Sequence, residues 1–178
     1  YWQPVKEYPN FQYITGRQQK PGTFLSDSTY SEALDALVIC CADAAILHQG
    51  LWLIAKRVWE PQPDWWVIGG RMRKAERIEQ ALRRNLQREL RLDIPEDRLQ
   101  SIIGYYNQIW DTRAQEPTTN GSHVFSITTA VQLTDEEKAS IRLNEEYVES
   151  QWVDPLQVIE NADQFHPCLV QVARDILR

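Results

Sequence analysis

The sequence predicts a single α/β (more strictly α+β) domain, a mixed β-sheet sandwiched between helices. Three observations predict it. Short apolar runs bounded by turn signals alternate with segments of helical periodicity. A Gly69-Gly70 pair joins a Trp-rich strand to a strongly patterned helix. The length of 178 residues, with 43% apolar side chains, suits one core rather than two.

Residues 1–23 read as an extension. They are polar, aromatic and punctuated by Pro4, Pro9, Gly16, Pro21 and Gly22, a pattern that wraps a domain or frays. The domain is expected over 24–178. Ser26-Asp27-Ser28 signals a helix start, and Tyr30, Ala33 and Leu34 give that helix an apolar side. Leu37 to Leu47 reads as a buried strand, His48-Gln49-Gly50 as a turn and Leu51 to Lys56 as the next strand. A proline-rich loop at 60–64 leads to the short strand Trp65 to Ile68. One of the two tryptophans should be core and its neighbour should face a cleft or partner, because strand side chains alternate. Arg77 to Leu92 reads as a helix, with Ile78, Ala81, Leu82 and Leu86 on one face. Ile102 to Trp110 and Val124 to Leu133 are strands around a polar loop at 111–122. Thr134 with Glu137 forms a capping box, Gln151 to Val153 a short strand, and Pro155 and Pro167 begin two more helical segments.

Bulk composition narrows the function. A net charge of −6 argues against a general grip on nucleic acid, which needs a basic surface. No apolar run approaches the length of a membrane span, and the start shows no basic region followed by an apolar stretch, so neither a membrane anchor nor a signal peptide is expected. Cys40, Cys41 and Cys168 have no disulfide spacing and read as buried, reduced thiols of a cytoplasmic protein. His48 and His166 read as loop residues.

The chemistry concentrates at Gly70 to Leu92. Gly70 is followed after five residues by Glu76, after seven more by Arg84 and after four more by Glu89. Glycines before a helix let backbone and ligand approach closely and leave helix N–H groups free for anions. Positions 85, 88 and 89 share one helix face. Here they carry Asn85, Arg88 and Glu89, so one carboxylate remains on that face. One Mg²⁺ completed by phosphates and water is feasible on such a face, whereas a multi-metal site is not. Arg71, Arg73, Lys74, Arg77, Arg83, Arg84 and Arg88 form a basic run that reads either as an anion site or as a solvated face.

This spacing resembles the signature of the Nudix hydrolases, in which a glycine, a glutamate and an Arg-Glu-aliphatic-any-Glu-Glu-any-Gly-aliphatic segment keep the same frame. Leu86 and Leu92 stand at the aliphatic positions. Asn85 and Arg88 replace glutamates and Arg91 replaces the glycine, so the signature is degenerate. Within that superfamily the stretch from Phe24-Leu25 to about Pro155 is similar to the GDP-mannose mannosyl hydrolases, whose signature is depleted in the same way.

The resemblance implies an Mg²⁺-dependent hydrolase, with Mn²⁺ as a substitute, acting on a nucleoside diphosphate sugar or related nucleotide. Attack by water at the sugar carbon or at phosphorus stays open. It implies metal ligation by the Gly69 carbonyl, Glu89 and Glu146. Substrate contacts would come from Asp43, Arg57, Gly70 and Arg71, and Arg84 would brace the helix or contact the diphosphate. The family's base histidine, five residues before Trp152, is Tyr147 here. A phenol titrates near 10 and is a poor base at neutral pH, so Glu145, Glu146 and His123 are alternative candidates. A nucleotide-binding or regulatory module that has lost turnover is the second reading. A homodimer is a further implication of the resemblance.

Overall fold

The structure is a computed structural model that describes residues 3–17 and 20–178. For residues 1–2 and 18–19 the expected N-terminal extension lies outside the described residues.

Strand β3, Ile39–His48, lies at the centre of a mixed sheet of seven strands. Its sequence dictates this. Ala42, Ala44 and Ile46 point to one face and Ala45 and Leu47 to the other, and all are buried. The turn Gln49-Gly50, with φ of 49° and 81°, reverses the chain into β4, Leu51–Arg57. On its other edge β3 pairs in parallel with β8, Ser122–Gln132, and β8 pairs antiparallel with the edge strand β7, Ile102–Trp110. Between β4 and β7 the chain forms β5, Trp65–Trp66, and β6, Ile68–Arg71. The late strand β9, Tyr147–Val153, pairs with β4.

The feature that matters for function is a parting of strands. β4 pairs with β3 only over Leu51–Leu53 and then with β5 at Ala55 and Lys56, while β9 runs along its other edge from Trp52 to Arg57. The other half of the same β3 edge pairs with β6 from Cys41↔Arg71 to Ala44↔Ile68. The sheet therefore opens between β6 and the β4–β9 pair.

Two helical layers close the faces. Helix α2, Ile78–Leu90, sets Ala81, Leu82, Leu86 and Leu90 against Ala42, Ala44, Ile46 and Leu53. Helix α5, Pro167–Ile176, sets Leu169, Val172 and Ala173 against Ala45, Leu47, Trp52 and Ile54. The fold is thus the expected mixed sheet between helices. Helix α1, Asp27–Ala36, is capped by the Ser26 side chain on the Thr29 N–H. The capping box at Thr134 and Glu137 starts α3, Asp135–Ser140, and α4, Pro155–Glu160, begins at the capping Asp154.

Several sequence expectations need correction. Residues 5–15 form a hairpin, β1 (Val5–Tyr8) and β2 (Gln12–Thr15), separate from the main sheet. Gln12 ties it to α2. Its Oε1 accepts from the Ile78 N–H at 2.7 Å and its Nε2 donates to the buried Glu79 carboxylate at 2.9 and 3.0 Å. His48 is a buried strand residue that bonds the Leu133 carbonyl and pairs with Asp135. His166 accepts from the Cys168 N–H to start α5. Cys41 is buried as expected, but Cys40 is exposed, because adjacent strand residues face opposite ways.

Arg91 explains the glycine of the signature. It ends α2 at φ 60°, ψ 24°, a left-handed conformation that disfavours side chains with a Cβ. Its side chain is exposed, so little beyond the backbone is at stake. Arg91→Gly should therefore raise stability by about 1 kcal/mol, read as a higher midpoint in urea unfolding with an unchanged slope.

Candidate active site

The cleft lies at the parting of the strands. It encloses about 540 Å³ and is lined by β3, β4, β6, β8 and β9 together with the loops after β4, β7 and α3.

Glycines 69 and 70 continue β6 rather than ending it. Gly69 has φ 153°, and a Cβ there would come within 2.3 Å of an Asp43 carboxylate oxygen and 2.5 Å of its Cα. Only glycine permits this approach of β6 to β3. Asn85 then locks β6 to α2, donating from Nδ2 to the Gly70 carbonyl at 2.9 Å and to the Ala42 carbonyl at 3.3 Å. An asparagine at this signature position thus serves as a buried tie between strand and helix, a role a carboxylate could not fill because it has no N–H to donate.

Arg84 is directed away from the cleft. Its guanidinium forks onto Glu76 at 2.6 and 2.8 Å and donates to the Arg71 carbonyl at 2.8 Å. Glu76 also accepts from the Arg73 N–H at 2.7 Å. Although burial raises it, the Arg84 and Arg73 partners prevail and hold the Glu76 carboxyl below its usual range. Arg84 and Glu76 together shape the loop between β6 and α2.

Glu89 is at the centre of the site and is fully buried. One oxygen accepts from the Tyr147 hydroxyl at 2.5 Å and the Gly69 N–H at 3.2 Å. The other accepts from Arg88. Burial raises the Glu89 carboxyl above its usual value, against the pull of Tyr147 and Arg88. The Tyr147 hydroxyl is raised well above the phenol range by burial and by Glu89 beside it. As a buried donor to a carboxylate, Tyr147 has no means of accepting a proton from water.

The expectation of His123 as a candidate base needs correction. Ser122, Val124 and Ser126 of β8 line the cleft. His123 alternates to the other face, where its Nε2 meets the Asn107 side chain at 2.6 Å. Glu145 and Glu146 do line the cleft, Glu145 exposed and Glu146 half-buried. The Asn144 N–H bonds the Glu89 carbonyl at 3.0 Å, and this fixes the segment to the end of α2.

Asp43, Arg57, Gly70 and Arg71 all reach the cleft. Arg71 lies over the Tyr30 ring at 4.0 Å. Arg57 lines the cleft, and its Nε is buried without a hydrogen-bond partner among the described residues. Trp66 is the core tryptophan of its pair but also reaches the cleft, beside Trp59.

Sequence reasoning missed Arg113. It lines the cleft, yet its guanidinium is buried and bonds Asp35 at 2.7 Å, Ser31 at 2.7 Å and the Gly121 carbonyl at 3.1 Å. It pins the 111–122 loop to α1. All its partners are distant in sequence or in the backbone, so no local pattern marks it.

The donor set can be tested for a metal. Among the described residues no group of three His, Cys, Asp or Glu side chains converges as ligands would. Both Glu89 oxygens are already engaged by protein donors, one of them a cation. The same Arg88 nitrogen lies 3.8 Å from Glu146. The residues present, in this arrangement, do not fit the expected Mg²⁺ site.

A family model described as NUDIX domain matches residues 35–173. The chain belongs to that family. Among solved structures it is similar to a MutT protein from Methanosarcina mazei Go1, with a TM-score of 0.54 and 17% identity over 69% of this chain and 81% of that one. It is also similar to a MutT NUDIX hydrolase from Burkholderia pseudomallei, at 0.55 and 21% over 67% and 84%. A third likeness is to an NMN adenylyltransferase/ADP ribose pyrophosphatase of Francisella tularensis, complexed with AMP and a Mn ion, at 0.53 and 17% over 75% of this chain and 39% of that one. At these identities the likeness is one of fold. No curated protein matches the sequence.

Asp43 yields a pH test. Burial, opposed mainly by a bond from Ser126, pushes its carboxyl up to about 7 from 3.8. A raised folded pKa means that the folded chain holds this proton more tightly than the unfolded one. The stabilisation is complete below the unfolded value and is lost as pH rises through about 7. Asp43→Asn should match the native chain near pH 3.5 and exceed its stability by roughly 2–4 kcal/mol at pH 8. Urea unfolding across that range measures the difference.

Proposed function

We propose that this cleft takes a nucleoside diphosphate derivative of the nucleotide-sugar class, and that the protein holds it with little or no turnover. The observation that carries the reading is the group of arginines in the lining. Arg57, Arg71 and Arg88 face one cleft in an acidic protein, alongside the carboxylates of Glu60, Glu145 and Glu146. A diphosphate would pair with these guanidinium groups, and a guanidinium fork suits paired phosphate oxygens. The volume of about 540 Å³ lies in the range of small-molecule sites. Trp59, Trp66 and Tyr30 offer flat apolar walls for a base or sugar face.

Retention rather than hydrolysis is favoured by two features of the same site. The residue at the base position is a buried hydroxyl that donates to Glu89. The Glu89 carboxylate is fully engaged by protein donors. A hydrolytic reading keeps one specific support, the exposed Glu145 carboxylate on the cleft wall, which is free to activate water. ADP ribose, on which the Francisella tularensis neighbour acts as a pyrophosphatase, belongs to the same chemical class as the proposed ligand.

One experiment decides between these readings. The protein is incubated with a panel of nucleotide sugars, with and without Mg²⁺, and binding and products are both followed. Binding in the micromolar range without product is the expected result. Free sugar with nucleoside diphosphate would establish attack at carbon, and sugar phosphate with nucleoside monophosphate attack at phosphorus. Absence of binding across the panel would overturn the ligand assignment. Arg57→Ala and Arg71→Ala should each weaken binding about 10- to 100-fold, the equivalent of losing one charged hydrogen-bonded pair.

A further inference from the structure

The cation in this site is already part of the chain. Glu89 and Glu146 converge from α2 and from the segment before β9 onto one point, and the Arg88 guanidinium sits there. It bonds Glu89, and the same nitrogen lies 3.8 Å from Glu146. It also covers the glycine strand, since a Cβ on Gly70 would meet this nitrogen at 3.1 Å. Glu89 is 0% exposed and Glu146 is 30% exposed, while Arg88 is 45% exposed, so the guanidinium forms the floor of the cleft with its open side toward the ligand. Glu89 is a buried carboxylate with no other cation on it, and such a group requires a paired positive charge.

A divalent ion entering between these carboxylates would meet a fixed positive charge at contact distance, with Glu89 bound to that charge. The two cations compete for one slot. We infer that Arg88 replaces the divalent metal of this site, so that the chain binds a diphosphate through a guanidinium and without Mg²⁺ or Mn²⁺. The geometry also explains why one substitution in the signature accompanies another. With Arg88 serving as the cation, a carboxylate at position 85 would face an already balanced pair, and the neutral Asn85 instead ties Gly70 to α2. The consequence for diphosphate binding rests on the proposed function. The exclusion of metal does not, because it follows from the charges of Arg88, Glu89 and Glu146 alone.

The test uses Mn²⁺ as the probe, followed by the loss of its free electron paramagnetic resonance signal on titration with the full chain. The native protein should show no site tighter than millimolar. Arg88→Ala and Arg88→Gln should each gain at least tenfold in Mn²⁺ affinity, and Arg88→Lys, which keeps the charge, should not. Adding Glu89→Gln to Arg88→Gln should abolish the gain. A native chain that binds Mn²⁺ as tightly as the variants would overturn the inference, whether or not the variants are stable. A folded Arg88→Gln without any gain would overturn it as well. A second arm titrates the native chain with the nucleotide that binds best in the panel, with chelator or with Mg²⁺. Affinity unchanged within twofold supports a metal-free site, and a loss of tenfold or more on chelation contradicts it. Failure of every nucleotide to bind would count against the ligand reading, while the Mn²⁺ result would still decide the role of Arg88.

Discussion

The buried Glu89 carboxylate is the constraint around which this site is organised. It sits on α2 with no exposure, and it needs donors on both oxygens. Three different elements supply them. Arg88 comes from the same helix, the Gly69 N–H from β6 and the Tyr147 hydroxyl from the start of β9. Because these elements meet at one charge, the helix, the glycine strand and the late strand are held in register where the sheet parts. Removing Arg88 would leave one buried charged oxygen without a partner, the costly way to break such a network, whereas the other oxygen keeps one donor if either Tyr147 or the Gly69 N–H is lost.

That arrangement gives a physical account of the changes in the signature. A metal-binding version of the same helix face gathers negative charge and leaves its neutralisation to an ion. Here the neutralising charge is covalent, and its neighbours have changed to match it. Asn85 has N–H groups to give to the Gly70 and Ala42 carbonyls. Tyr147 gives a hydroxyl to Glu89. The substitutions are mutually consistent, which is the expected mark of a folded, satisfied site rather than of scattered decay.

Much of the fold was legible in the sequence. The apolar run of β3, the strand Ile102–Trp110 and the capping box at Thr134 need only local rules, and each lies within two residues of where those rules put it. The Gly69-Gly70 pair, marked in the sequence by its place before a helix, lies on the cleft wall, because only glycine lets β6 approach β3 so closely. What the sequence did not disclose is long-range. The docking of the first hairpin depends on Gln12 meeting Glu79 and the N–H of Ile78. Arg113 holds a loop to a helix nearly eighty residues earlier, and the separation of 78 leaves no periodic trace. The mistaken reading of His123 came from a single-residue phase, since its neighbours on either side face the cleft. Arg88 was visible as part of a basic run. That its charge lands on Glu89 and Glu146 depends on where the segment before β9 returns, which only the folded chain determines.

The most direct test of this account is a crystal structure of the native chain grown or soaked with Mn²⁺, with anomalous scattering used to locate the ion. The account predicts the Arg88 guanidinium against Glu89 and no anomalous peak between Glu89, Glu146 and the Gly69 carbonyl. A Mn²⁺ peak at that point, with Arg88 displaced, would contradict it.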